Sequence, residues 1–568
     1  MAPRWCLGLG GSNHDFATSL TRDDEIVVAI EEERVSRMKY SIGANSLFPL
    51  GRKYCLGAAG ISMEDVDAIV ADDTLMPSAY FALRDRTEII RHHLAHIASA
   101  FYPSPFERAA VLVIDGAGSY ISEENAVETA TFAVAEGTSL QEIGKVLGKN
   151  WRTDELSTRR IYQFGDSDDS LGFMYKAVSR AIGFVFYTDG SWFLTEDGKT
   201  MGLAPYGSSR YHDEFRRYLE LLPDGQFRLH LREGGLIEFV DDIAASVKNK
   251  VESARFRTYA DLASAAQTVL EETMSHMFGH LARATGAKSI CLAGGVALNC
   301  VANGAVFAKS DFDEIFIQPA AGDAGNAIGC ALYGYHNLLG GERRRRGGAG
   351  WMRHAYLGRS HSAEEIESAV AAAGLPSERI DDPAEVGAQL LSEGKLIGWF
   401  QGESEFGPRA LGHRSILADP RGAETKDVLN ARVKHRESFR PFAPAVLEQQ
   451  ASEYFELGVA SPYMLLVAPV REEKRSVVPA IVHVDGSARV QTLTREANGI
   501  FFDLVAAFFA RTGVPVVLNT SFNDRGQPIV ESPDDAVAFF ARSGLDFMII
   551  ESLLVGLDAT EVTRVARL

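Results

Sequence analysis

Short apolar runs bounded by glycine alternate with longer stretches of helical composition, a pattern that predicts an α/β architecture. Trp5-Cys-Leu-Gly-Leu-Gly-Gly-Ser-Asn-His-Asp15 leads into a predicted strand over 17–20 and another over 25–30. Later, Ala110-Val-Leu-Val-Ile-Asp-Gly-Ala-Gly118 turns into a strand over 128–135. Two segments of strand, glycine turn and strand, each followed by helical sequence, suggest a duplicated lobe with a cleft between its halves. Glycine turns whose amides face a cleft can hold phosphate. Residues 87–100 contain neither glycine nor proline and read as one helix. Beyond residue 350, 363–373 reads as a helix, and 396–400 and 515–518 as buried strands.

Between the two regions lies Leu339-Gly-Gly-Glu-Arg-Arg-Arg-Arg-Gly-Gly-Ala-Gly350. Four adjacent arginines repel one another and favour solvent, and the glycines add freedom. A surface loop would share this composition. Different chemistry on either side favours a linker over 339–352, between domains at 1–338 and 353–568.

A chain of 568 residues is too long for one core, and about three to four structural units are expected. With 57 Lys and Arg against 76 Asp and Glu, the net charge of −19 argues against a nucleic-acid partner but leaves room for a local basic pocket. Five scattered cysteines form no CxxC pair and fit a reducing compartment. The apolar run at Trp5–Leu9 is short, and the stretch over 500–509 contains Asp503, so no signal peptide or membrane span is expected. These features predict a cytoplasmic protein without a membrane partner.

His92 and His96 are four residues apart and share a helix face, whereas His93 points about a quarter-turn away. No glutamate follows the first histidine, so this is not the HExxH zinc-protease pattern. Alone, such a pair is commonly a packing feature. Asp115, however, ends the apolar run 111–114, where an unpaired charge is costly. Asp323 sits in a glycine turn before a small-residue helix and has the alternative role of a cap. Two His and two Asp together suit Fe(II), Mn or Zn better than a thiolate-seeking metal. Gly294 and Gly295, at a strand end, offer amides to a nucleotide's phosphate or ribose, with Asn299 early in the next helix. Residues 198–207 read as a second close-approach loop. His14 is either a general base or a polar turn residue.

In the second half, residues 403–440 hold eight Lys and Arg against six Asp and Glu, inverting the background charge. Arg409, Lys434 and Arg440 are interleaved with Phe, Pro and Leu rather than with polar residues. That favours a polyanion pocket over a solvated charge run. Arg489, Asn519 and Ser521 offer further donors near strand ends.

The ordered set His14-Asp15, Glu31-Glu-Glu-Arg34, His92-His-Leu-Ala-His96, Asp115-Gly116, Gly198–Ala204, Gly294–Asn299, Gly322–Gly325, Phe406–Gly412, Lys434–Phe442, His483–Gln491 and Leu518–Asn523 resembles the NodU/CmcH/TobZ family of ATP-dependent O-carbamoyltransferases. The resemblance runs along nearly the whole chain. It implies an N-terminal actin/hexokinase-like duplicated lobe, as in tRNA threonylcarbamoyltransferases, and a C-terminal YrdC-like α/β domain. It further implies that carbamoyl-adenylate forms from ATP and carbamoyl phosphate in the second domain. The intermediate then passes internally to the first, where a hydroxyl of a small-molecule acceptor takes the carbamoyl group. By the same resemblance, His92, His96, Asp115 and Asp323 would bind a divalent metal, with iron expected and magnesium an ion for ATP. Arg409, Lys434, Arg440, Arg489, Asn519 and Ser521 would hold ATP and carbamoyl phosphate. Gly294, Gly295 and Asn299 would support the adenylate, and His14 would be the base. Tyr40, after Lys39, replaces a histidine frequent in the family.

Three other readings stand beside this one. A sugar-kinase-like phosphotransferase leaves the second half unexplained, and a non-catalytic actin-like scaffold predicts no turnover. A tRNA-modifying role runs against the acidic charge. A homo-oligomer is compatible with each of them.

Overall fold

The computed structural model describes residues 3–12, 14–41, 50–149, 167–187, 193–232, 234–344 and 352–567. Contacts divide the chain into two units, one comprising 1–26, 42–48 and 62–351, the other 27–41, 49–61 and 352–568.

The first unit is built on two sheets. One has the order β3-β2-β1-β4-β5, from β1 (Trp5–Gly10), β2 (Ala17–Arg22), β3 (Glu25–Glu31), β4 (Ala68–Asp72) and β5 (Thr87–Ile90), although residues 27–31 of β3 are grouped by their contacts with the second unit. The second contains β6 (Arg108–Ile114), β7 (Tyr120–Ile121), β8 (Ala126–Glu136) and β9 (Ser139–Gly148). After two small hairpins, β10 (Val185–Tyr187) with β11 (Phe193–Thr195) and β12 (Leu219–Leu221) with β13 (Phe227–Leu229), it is completed by β14 (Ser289–Ala293) and β15 (Glu314–Ile317). Its order is β9-β8-β6-β14-β15, with the short β7 also on β8. In both sheets the first strand runs antiparallel to the next and parallel to the fourth strand of the repeat. The unit is thus a duplicated α/β lobe of the actin/hexokinase-like kind. The central strands are apolar and buried, and in β6 every residue after Arg108 is buried.

Residues 87–100 do not form one helix. Thr87–Ile90 is β5, and the helix begins at His92 and ends at Phe101. Thr and Ile favour a strand, and the helix then starts where Asp73 and Ser119 accept the His92 amide at 3.1 and 2.9 Å. The Asn326–Tyr333 helix packs against the His92–Phe101 helix. Gly329 leaves no room for a Cβ beside the Ala95 carbonyl, so a side chain there would force the helices apart. Residues 197–203 are helical rather than a loop, and Lys199 is buried there.

The arginine run does not behave uniformly. Arg343 is turned inward, over the Phe101 ring at 4.4 Å. It donates to the carbonyls of Phe101, Tyr102, Ser104 and Phe106, the ends left open after the His92–Phe101 helix. Arg344 is exposed and meets Asp23. Residues 345–351 lie outside the described residues.

The second unit carries a nine-stranded mixed sheet. Its order is β16-β24-β23-β17-β18-β22-β19-β21-β20. The strands are β16 (Ser377–Arg379), β17 (Ile397–Phe400), β18 (Arg414–Ala418), β19 (Ala443–Leu447), β20 (Leu466–Pro469), β21 (Ser487–Leu493), β22 (Val516–Ser521), β23 (Phe547–Ile550) and β24 (Leu553–Val555). Trp399 and Phe400 of β17 are fully buried in a core shared with Leu390, Leu504 and Phe508. Those three come from the helices Pro383–Ser392 and Arg495–Thr512. The helix expected at 363–373 spans Ala363–Ala372 and opens with a capping box between Ser362 and Glu365.

All five cysteines are buried and none forms a disulfide. No described helix is long and apolar enough to cross a membrane.

Candidate functional site

In the first unit, His92, His96, Asp115 and Asp323 converge, each offering one donor atom, all within 4.8 Å of one another. His92 and His96 present their Nε2 atoms from successive turns of one helix, 3.1 Å apart. Asp115 follows β6, and its Oδ2 lies 3.2 Å from His92 Nε2 and 3.6 Å from His96 Nε2. Asp323, in the turn before the Asn326–Tyr333 helix, brings Oδ1 to 3.6 Å from His92 Nε2. Donors about 2.1 Å from a common ion sit roughly 3.0–3.4 Å apart, so the observed separations suit a first-row divalent cation.

The surroundings orient these ligands. Asp115 Oδ1 accepts the amides of Gly116 and Gly295 at 2.7 and 3.3 Å, which turns Oδ2 toward the histidines. His92 Nδ1 meets Thr74 Oγ1, Asp72 Oδ1 and Asn326 Nδ2 at 2.7, 3.0 and 3.1 Å. A carboxylate behind an imidazole fixes its ring and raises its basicity, as is usual for metal-bound histidine. Burial alone would depress the His92 imidazole, but Asp72, Asp115 and Asp323 together hold it well above its ordinary range. Burial likewise raises the Asp115 carboxyl, and the two histidines outweigh it and hold the group well below the carboxylate range. His93 points elsewhere, with Nδ1 2.7 Å from Thr131 Oγ1, and burial pushes it down to about 3.

Asp72, Thr74 and Asn326 lie outside the sequence-predicted set. A signal for Asp72 was available, because it closes the apolar strand β4 as Asp115 closes β6.

His14 is 24% exposed, with Nδ1 3.1 Å from Asp15 Oδ2. Burial lowers its pKa, but Asp15 and then Asp323 raise it further than that, which also ties His14 electrostatically to the metal-ligand set. The two glycine amides expected near the nucleotide donate within the protein. Gly294, at φ +90°, donates to the Ala321 carbonyl at 2.8 Å, and Gly295 donates to Asp115. Asn299 caps the Cys300–Phe307 helix through Ala302 N–H at 3.0 Å and bonds Gln267 through its amide at 2.9 Å. Through these internal hydrogen bonds the three residues brace the turn that carries Asp115 and the helix behind it.

In the second unit, Lys434 is buried and donates to Ser521 O, Asn523 Oδ1, Asn523 O and Ser521 Oγ at 2.6, 2.9, 3.0 and 3.2 Å. Burial, then the charges of Arg436 and Arg440, push its ammonium well below the usual range. Burial, then Arg440 and Arg489, do the same to Arg436. Arg436 was not among the predicted residues; its guanidinium lies over Phe442 at 4.3 Å and donates to Asn430 Oδ1 at 3.1 Å. Arg440 has Glu437 at 3.8 Å. Four cations thus repel one another in a partly dry setting, which an entering polyanion would relieve. Asn519 is buried on β22 and donates to Gln491 Oε1 at 2.9 Å, while its Oδ1 meets no partner among the described residues. Arg409 is half-buried in the loop between β17 and β18.

Two family descriptions match the chain: "Carbamoyltransferase N-terminus" over residues 80–332 and "Carbamoyltransferase C-terminus" over 388–556. The nodulation protein NolNO of Sinorhizobium fredii is 37% identical, covering 97% of this chain and 82% of the relative. The 3'-hydroxymethylcephem-O-carbamoyltransferase of Amycolatopsis lactamdurans is 28% identical, covering 94% of this chain and 96% of the relative. Among solved structures, HypF of T. kodakarensis overlaps 61% of this chain and 49% of its own, at 15% identity and a TM-score of 0.37.

Proposed function

The chain belongs to the carbamoyltransferase family, and from that premise we propose that it is an ATP-dependent O-carbamoyltransferase acting through carbamoyl-adenylate. The observation that carries this reading is the pairing of opposite electrostatic needs in one chain. A donor set fit for a cation stands in the first unit, and a cluster of one buried and three half-buried cations fit for phosphates stands in the second.

In the second unit, Lys434, Arg440 and Arg489, with Arg436 adding its charge, neutralise the phosphates of ATP and carbamoyl phosphate. Without that screening, one anion would repel the attack of another. Water releases phosphate from carbamoyl phosphate, an oxygen of the resulting carbamate bonds to the α-phosphorus of ATP, and diphosphate leaves. Asn519 Oδ1 and Ser521 Oγ orient the reacting groups from β22. The labile adenylate is then handed to the first unit without release, which keeps it from bulk water.

In the first unit, His14 takes the proton of the acceptor hydroxyl as its oxygen attacks the carbamoyl carbon, and AMP leaves. Asp15, on Nδ1, steadies the imidazole in this task. His92, His96, Asp115 and Asp323 would hold a divalent cation, expected to be iron, which would supply charge neutralisation for the adenylate phosphate. The acceptor is a small molecule carrying an alcohol, in keeping with the hydroxymethyl group in the name of the Amycolatopsis relative.

The test is incubation with ATP, carbamoyl phosphate and a panel of hydroxylated natural products, followed by mass spectrometry. One added carbamoyl group together with AMP and diphosphate is expected. ATP left intact in the presence of carbamoyl phosphate would instead favour an actin-like scaffold.

A further inference from the structure

Residues 27–41 and 49–61 are grouped by their contacts with the second unit, yet they precede both stretches covered by the family descriptions. Within them, Glu31 precedes the short helix Glu32–Ser36, Arg34 lies in its middle and Arg37 follows its end.

Arg34 is 1% exposed, and its Nη2 donates to the Gly407 carbonyl at 2.7 Å. Glu31 Oε1 accepts the N–H of the same Gly407 at 2.7 Å. Both backbone polar groups of one residue are therefore held by two side chains. Gly407 stands at φ +115°, a conformation that suits glycine, two positions before Arg409. On the other side of Arg409, Glu405 Oε1 accepts the amides of Leu411, His413 and Arg414 at 2.7, 2.8 and 3.1 Å. Arg409 thus sits between two pinned points of its loop.

Arg37 secures a second loop. It donates to the carbonyls of Ile529 and Pro528 at 2.7 and 3.0 Å. That loop begins at Ser521 and Asn523, the partners of Lys434, and closes where Val530 N–H meets the Phe522 carbonyl at 3.0 Å. A buried arginine–glutamate pair is a weak source of stability, since desolvating two charges offsets their attraction. Its presence here points to a task of orientation.

We propose that Glu31, Arg34 and Arg37 are positioning residues. They clamp the Arg409 loop and the Ser521–Ile529 loop in the geometry that receives ATP and carbamoyl phosphate, so a segment early in the chain sets the affinity of a site formed by its second half. The inference rests on reading the second unit as the adenylate-forming one.

The experiment is carbamoyl-phosphate-dependent exchange of labelled diphosphate into ATP, measured on the full chain. Arg34→Ala raises KM for the two phosphorylated substrates about tenfold, and Arg34→Lys recovers part of that loss. Because Arg34 acts through the Arg409 loop, Arg34→Ala/Arg409→Ala is no worse than Arg409→Ala alone. Should Arg34→Ala fail to fold, Glu31→Gln replaces it in the same cycle, with a smaller rise in KM and the same lack of additivity. Multiplying effects in the double variant, or an unchanged KM in Arg34→Ala beside a crippled Arg409→Ala, would overturn the clamp alone. An Arg409→Ala chain with normal exchange would remove both the clamp and the assignment of that loop to substrate binding.

Discussion

The two units solve one electrostatic problem with opposite signs. In the first, two carboxylates and two imidazoles direct lone pairs at a common point, with neighbouring donors 3.1–3.6 Å apart. In the second, Lys434, Arg436, Arg440 and Arg489 press on one another, and burial with mutual repulsion depresses two of them. Clustering charge of one sign away from water costs free energy unless a partner of the other sign arrives. On the proposed reading, the charge gathered in the first unit suits a cation and that in the second suits phosphate.

The contrast breaks most sharply if the partial reactions fail to separate. His14→Ala should abolish transfer to the acceptor and His96→Ala should also remove bound metal, while both retain diphosphate exchange. Arg440→Ala should cut that exchange by about 10²–10³-fold and leave metal content unchanged. Equal loss of both partial reactions in the His14 variant would dismiss the two-centre assignment. A finer probe is Asp72→Asn, which keeps the side chain's shape but removes the charge behind His92. Metal affinity measured by competition with a chelator should fall roughly 10–100-fold, with exchange unaffected.

The smallest expected effect concerns pH. Burial, only partly opposed by Arg34, pushes the Glu31 carboxyl up to about 7 from an ordinary 4.5. Between those values the folded chain holds a proton that the unfolded chain has released, so this group's contribution to stability declines as pH rises through the interval and is flat above it. Glu31→Gln should flatten that part of the stability profile in denaturant titrations at successive pH values. An unchanged slope would assign it to other groups.

Local pattern made much of this legible. The i, i+4 histidines, the carboxylate closing β6 and the cations interleaved with aromatic residues each advertise chemistry within a few residues. What escaped depended on contacts distant in sequence. Ile89 and Ile90 fit a helix by composition, but parallel pairing with β4 makes 87–90 a strand. Gly294 reads as a free amide until the Ala321 carbonyl is seen to accept from it. Arg343 reads as solvent-seeking until the helix end it closes is known. The attachment of residues 27–41 to the second unit has no local signature, since Gly407 lies 373 positions from Arg34.

Gly329 carries a consequence for the cluster of donors. Its missing side chain lets the Asn326–Tyr333 helix seat directly on the backbone at Ala95, one position before His96. The reach of Asp323, in the turn before that helix, toward His92 is thereby gauged by a residue that offers no donor. A methyl group at that contact would displace whole helices and pull the four side chains out of register while each stayed chemically intact.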